Sequence, residues 1–98
     1  MPYKIEFTTE AKRHLDALPA RDRAIVLDAI EEQLTLQPTV PTRNRKPLRS
    51  SPLADWELRV RQYRVFYTVN EEQVLVLVIA IGVKDHNTLL IEGKEFKL

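Results

Sequence analysis

Seven of the chain's fifteen Lys and Arg residues fall between positions 43 and 64: Arg43, Arg45, Lys46, Arg49, Arg59, Arg61 and Arg64. Only Asp55 and Glu57 oppose them there, which leaves a local charge of +5 in a chain whose net formal charge is +1. A field of that sign attracts polyanions even when the whole molecule is close to neutral. Arginine adds geometry to the charge, because its planar fork matches phosphate oxygens and stays protonated. The first expectation is a phosphate-rich partner. Two histidines are the other groups suited to moving a proton near neutral pH. His86 sits in the polar run Lys84-Asp-His-Asn-Thr88 and is a candidate acid or base, whereas His14, with Arg13 and Asp16 close by, reads as a solvated helix residue. Cysteine is absent, which excludes thiol nucleophiles, thiolate metal sites and disulfides. Neither a metal nor a cofactor is expected.

The elements that must carry these groups follow from size and periodicity. Ninety-eight residues, 44% hydrophobic and 30% charged, predict one globular domain spanning residues 1–98, with a single core. The N-terminal residues lack the basic and apolar regions of a signal peptide, and the longest apolar run, residues 74–81, is too short to span a bilayer. A cytoplasmic location without membrane contact is the resulting expectation.

Tyr3-Lys-Ile-Glu-Phe7 alternates as a half-buried strand does. Thr8 or Thr9 then caps a helix over residues 9–18, with Ala11, Leu15 and Leu18 on its apolar stripe and Pro19 ending it. Asp22 opens a second helix carrying Ile25, Val26, Ala29, Ile30 and Leu34, so short a link predicting a helix hairpin laid on a sheet. Four prolines and little periodicity make residues 37–55 a long loop, of the kind that is usually functional. Trp56-Glu-Leu-Arg-Val60, residues 63–69 and residues 74–81 read as a β-meander. Alternation sends Trp56, Leu58 and Val60 one way and Glu57, Arg59 and Arg61 the other. The third of these strands is apolar on both faces, hence central, and Gly82 marks its end. Beyond it the chain has no clear period and is expected to be irregular or briefly helical, with a short strand or a partner-dependent segment as alternatives. The predicted class is α+β, a two-helix hairpin on a small, mainly antiparallel sheet in the order β-α-α-β-β-β.

Lys46-Pro-Leu-Arg-Ser50, Trp56-Glu-Leu-Arg-Val-Arg61, Tyr63-Arg-Val-Phe-Tyr-Thr-Val69 and Val76-Leu-Val-Ile-Ala-Ile-Gly82 resemble the RelE/ParE superfamily of type II toxin–antitoxin toxins. The opening Tyr3-Lys-Ile-Glu-Phe7, followed by Thr-Glu-Ala-Lys and Leu-Pro, fits too, so the resemblance covers essentially the whole chain. It implies a small toxin with helices flanking an antiparallel sheet. RelE-like members cut messenger RNA in the ribosomal A site without a metal; ParE-like members share the fold but poison DNA gyrase. Both are neutralised by a cognate antitoxin protein, and the pair commonly binds operator DNA to repress its own operon. The favoured expectation is a ribosome-dependent mRNA endonuclease. Alternatives are a gyrase inhibitor and a catalytically silent toxin-like module.

Such cleavage needs a group to take the 2′-hydroxyl proton, one to protonate the departing 5′-oxygen, and cations for the charged transition state. By resemblance, Arg64 matches the active-site arginine that follows tyrosine, Arg59 falls where relatives place a strand lysine, and Lys84 matches another family arginine. His86 is the remaining catalytic candidate, while Arg43, Arg45, Lys46, Arg49 and Arg61 are expected to contact RNA phosphates. Two departures stand out. Glu57 replaces the first lysine of a Lys-x-Lys pattern, and Leu90 stands where nuclease members often end in a catalytic tyrosine. Glu57 reads either as a base or as a carboxylate holding Arg59 or Arg61. Of the strand aromatics, Trp56, Tyr63 and Tyr67 are expected in the core, with Phe66 on the same face as Arg64.

Overall fold

The computed structural model describes residues 2–97 and contains two helices and a seven-stranded sheet. In chain order these are β1 (Lys4–Phe7), α1 (Thr9–Asp16), α2 (Ala20–Leu34), β2 (Arg45–Pro47), β3 (Trp56–Val60), β4 (Tyr63–Asn70), β5 (Leu75–Asp85), β6 (Thr88–Ile91) and β7 (Lys94–Glu95). Strands β2 to β7 pair in sequence order and antiparallel; β1 alone runs parallel, against β5. One edge of β5 is paired to β4 along most of its length. Its other edge is divided, Leu75–Val78 taking β1 and Val83–Asp85 taking β6.

Helix α1 begins at Thr8, whose Oγ1 accepts the Ala11 amide at 3.0 Å and donates to the Ile79 carbonyl at 3.0 Å. One residue thus caps the helix and fastens it to the sheet. The buried faces of α1 and α2, with Ala11, Leu15, Val26, Ile30 and Leu34, cover Leu58, Val60, Tyr63, Val65, Tyr67, Val76, Val78 and Ile81. Trp56 stacks on Tyr67, with ring centroids 6.2 Å apart. Each such buried aliphatic or aromatic side chain contributes about 1.5–3 kcal/mol relative to an exposed one, which makes this face the main source of stability. A smaller cluster of Ala54, Phe66, Ala80 and Leu89 lies on the opposite face, with Leu48, Leu53, Ile91 and Phe96 packed on it. Phe66 therefore shares the face of Arg64, as the alternation predicts.

The expected α+β architecture is present, with three corrections. The C-terminal segment is neither irregular nor helical: residues 88–95 form the β6–β7 hairpin, closed by Glu92 and Gly93, both at positive φ. That backbone geometry is the one that two-residue hairpin turns require. The basic loop contains a strand, β2. Gly82 does not end β5 but lies inside it, where the absent side chain matters: a Cβ there would stand 2.9 Å from both the Leu90 carbonyl oxygen and Leu89 Cδ1. Because one obstacle is backbone, relief requires moving β6. Gly82→Ala is expected to cost about 1–3 kcal/mol, read as a lower urea midpoint with an unchanged m-value.

Candidate phosphate-binding face

The strand register assembles four of the basic residues, Lys46, Arg59, Arg64 and Lys84, that the sequence spaces far apart. Lys46 stands opposite Glu57, Glu57 opposite Phe66 and Phe66 opposite Ala80; in the adjoining row Arg59 faces Arg64 and Arg64 faces Gly82. Lys84 pairs with Leu89, which belongs to the second cluster, so it shares this face of the sheet. Lys46, Glu57, Arg59, Arg64 and Lys84 thus lie on one surface, opposite the helices.

Arg64 is fixed rather than free. Its Nη1 donates to the carbonyls of Arg61 at 2.7 Å and Tyr63 at 2.8 Å, and its Nε lies 4.0 Å from Glu57 Oε2. The turn that supplies one of these carbonyls, Arg61-Gln62, carries Arg61 at a φ of 57°. Burial lowers the Arg64 pKa from its ordinary value, the nearby Arg59 adds to that, and the Glu57 carboxylate opposes it. The guanidinium stays cationic at any physiological pH. Glu57 itself is 7% exposed, with Arg59 Nε at 3.6 Å.

Other predicted residues go elsewhere. Arg45 belongs to the opposite face: it pairs with Leu58 and is buried, with Nε donating to the Val40 carbonyl and Nη1 to the carbonyl and side-chain Oε1 of Gln33. Alternation along β2 separates it from Lys46, so it fastens the loop to α2 rather than meeting RNA. Arg61 lies in the turn, not on the strand face shared by Arg59. Arg43 and Arg49 are exposed in the segments flanking β2. His86, at a φ of 56°, occupies the β5–β6 turn, almost wholly exposed, with its Nε2 3.8 Å from Asp85 Oδ1. Since the Lys84 amide donates to the Gln62 carbonyl at 2.6 Å, the His86 and Arg61 turns lie at the same end of the sheet. Leu90 faces the helix side and lines a cavity with Ala17, Leu18 and Val83. Among the described residues, no three His, Asp or Glu side chains stand together as a metal-ligand set.

His14 is the residue that the sequence reading misplaced. It is 8% exposed; Nδ1 accepts the Ile81 amide at 3.1 Å, and Nε2 lies 2.9 Å from Glu92 Oε1. An acceptor Nδ1 assigns the proton to Nε2, so both nitrogens are engaged and the imidazole ties α1, β5 and the β6–β7 turn together. Arg13 completes the cluster through Nε, 3.0 Å from the same Glu92 oxygen. The Arg13 bond holds the Glu92 carboxyl below its ordinary value, partial burial opposes this, and the His14 bond assists. The signal was available: position 14 falls on the stripe defined by residues 11, 15 and 18. His14→Ala leaves the Ile81 amide without its acceptor. It should destabilise the fold by about 1–3 kcal/mol in chemical denaturation, with more proteolysis at the β6–β7 hairpin.

The comparisons agree with this architecture. Residues 5–87 match the family model described as the ParE toxin of the type II toxin–antitoxin system parDE. Toxin RelG of Mycobacterium tuberculosis is 33% identical over 81 residues, which is 83% of this chain and 90% of that protein. Among solved structures, the RelBE2 toxin–antitoxin complex from the same organism is similar at 29% identity and a TM-score of 0.71, covering 86% of this chain and 100% of that one. The intact E. coli RelBE toxin–antitoxin complex matches at 25% identity and a TM-score of 0.62, covering 87% of this chain and 99% of that one. No helix among the described residues is long and apolar enough to cross a membrane. With its helix hairpin, its meander and its Arg64-bearing strand, this chain belongs to the RelE/ParE superfamily of type II toxins.

Proposed function

We propose that this toxin is a ribosome-dependent mRNA endonuclease, neutralised by a cognate antitoxin with which it binds operator DNA. The observation that carries the reading is the fixed Arg64 guanidinium, two of whose donors are taken by backbone carbonyls, on the same sheet face as Arg59 and Lys84. Cleavage is an internal displacement: the 2′-hydroxyl gives its proton to a base, its oxygen bonds to phosphorus, the bond to the 5′-oxygen breaks, and that oxygen takes a proton from an acid. Donors already held in place stabilise the charge that builds on the non-bridging oxygens, because no reorganisation is then needed as it develops. Arg59 and Arg64 take that role. Lys84 and His86 stand at the end of the sheet where the leaving oxygen would be protonated. Lys46, Arg61, Arg43 and Arg49 supply sequence-independent contacts to phosphates.

A second reading, gyrase inhibition without catalysis, is favoured by one observation: Leu90 lies on the helix side, with no hydroxyl to offer. Programmed ribosomes and a supercoiling assay separate the two. The nuclease reading expects message cut in the A site and gyrase unaffected; intact message with inhibited gyrase overturns it.

A further inference from the structure

Two guanidiniums directly opposite each other on neighbouring strands repel, so a folded Arg59–Arg64 pair needs a counter-charge. The sheet supplies one. Glu57 projects from the same face one row away, with a single oxygen, Oε2, 3.6 Å from Arg59 Nε and 4.0 Å from Arg64 Nε. Both separations exceed direct hydrogen-bond length, so the carboxylate acts on the two cations as a charge between them. Its surroundings keep it there. The Glu57 side chain is 9% exposed, against 48% for Arg59, and its cross-strand neighbours are Lys46 and the fully buried Phe66. A buried carboxylate between two arginines, on a face that is otherwise basic, opposes the binding of a polyanion, which calls for a compensating role.

We infer that Glu57 is a positioning residue that holds Arg59 and Arg64 side by side as a two-armed clamp for one phosphate. The Nε of each arginine lies within 4.0 Å of the carboxylate, Arg59 keeping its side chain 48% exposed and Arg64 16%. Each guanidinium is then oriented before RNA arrives, which reduces the ordering cost of gripping the transition state. The clamp rests on the nuclease reading for its substrate but not for its geometry.

Glu57→Gln keeps the shape and removes the charge. On programmed ribosomes its kcat should fall at least 10-fold while KM stays level or drops, because one fewer negative charge favours ground-state RNA binding. Glu57→Asp should recover part of kcat. In the same proteins, the Nε–Hε NMR signals of Arg59 and Arg64 should be resolved in wild type and collapse toward exposed-arginine positions in Glu57→Gln, with the backbone spectrum unchanged. Wild-type kcat in Glu57→Gln, or unmoved arginine signals, overturns the inference. So does a lost acid limb in the pH–rate profile with unmoved arginine signals, which would make Glu57 the proton acceptor. If wild type cuts no message, the nuclease reading fails, and the arginine signals, titrated with inorganic phosphate, still decide the clamp.

Discussion

Arg64→Ala should reduce A-site cleavage by about 100- to 1,000-fold, the range that follows removal of a preorganised charge-stabilising donor. The protein should remain folded. The bonds lost are those from Nη1 to the Arg61 and Tyr63 carbonyls, both at the end of the sheet, where water replaces them at about 1 kcal/mol each. Arg64→Lys discriminates between charge and geometry. An ammonium retains the charge but has no planar fork to bond two carbonyls while presenting another N–H outward, so most of the loss should persist. If lysine restores the wild-type rate, the anchored fork is irrelevant and only the field matters. Comparing the salt dependence of binding completes the test, since both variants should still bind RNA through the remaining cations.

The second large effect lies in stability at high pH. Tyr63 is buried and donates its hydroxyl to Asp22, and burial first, then that hydrogen bond, pushes its pKa up to about 12. Tyr67, fully buried with its hydroxyl giving to the Pro38 carbonyl at 2.6 Å, is raised further by burial. An unfolded tyrosine ionises near pH 10, so above that pH the unfolded chain releases protons that the folded one retains. Stability is therefore complete below pH 10 and is lost as the pH rises through 12, by about 3 kcal/mol for Tyr63 alone. Tyr63→Phe should be less stable than wild type at pH 7, having left Asp22 without its donor, yet the gap between their urea midpoints should close from pH 10 to 12. Parallel profiles would show that the Tyr63 hydroxyl is not protected by the fold.

The meander was legible because Trp56–Val60 alternates and the two runs after it are rich in aromatic and β-branched residues, each bounded by polar turns. The β2 strand was not, because it has three residues, one of them proline, and draws its register from β3 rather than from its own sequence. That omission hid the reversal of Arg45 against Lys46. Gly82 misled for a related reason. Glycine ordinarily punctuates a strand, but here it admits the close approach of β6, which only the tertiary pairing reveals. His14 was lost by weighing residue type above position, although its spacing was that of the buried stripe. Arg64 and Arg59 were legible as charges and as strand neighbours. The Glu57–Arg59 approach was legible from their spacing on one strand; the approach to Arg64 was not, since it follows from the Arg59–Arg64 pairing across strands.

The divided edge of β5 has a consequence for synthesis. Lys4–Phe7 leaves the ribosome about seventy residues before its partner, Leu75–Val78. Until then β1 has no strand to join, α1 has no sheet on which to close, and the Arg64 strand lacks its longer neighbour. A chain interrupted before β5 cannot complete the sheet, and pairing of such distant segments slows folding. Fragments that stop short of Leu75–Val78 lack the strand to which both β1 and β4 pair, so the basic face is complete only once β5 has been made.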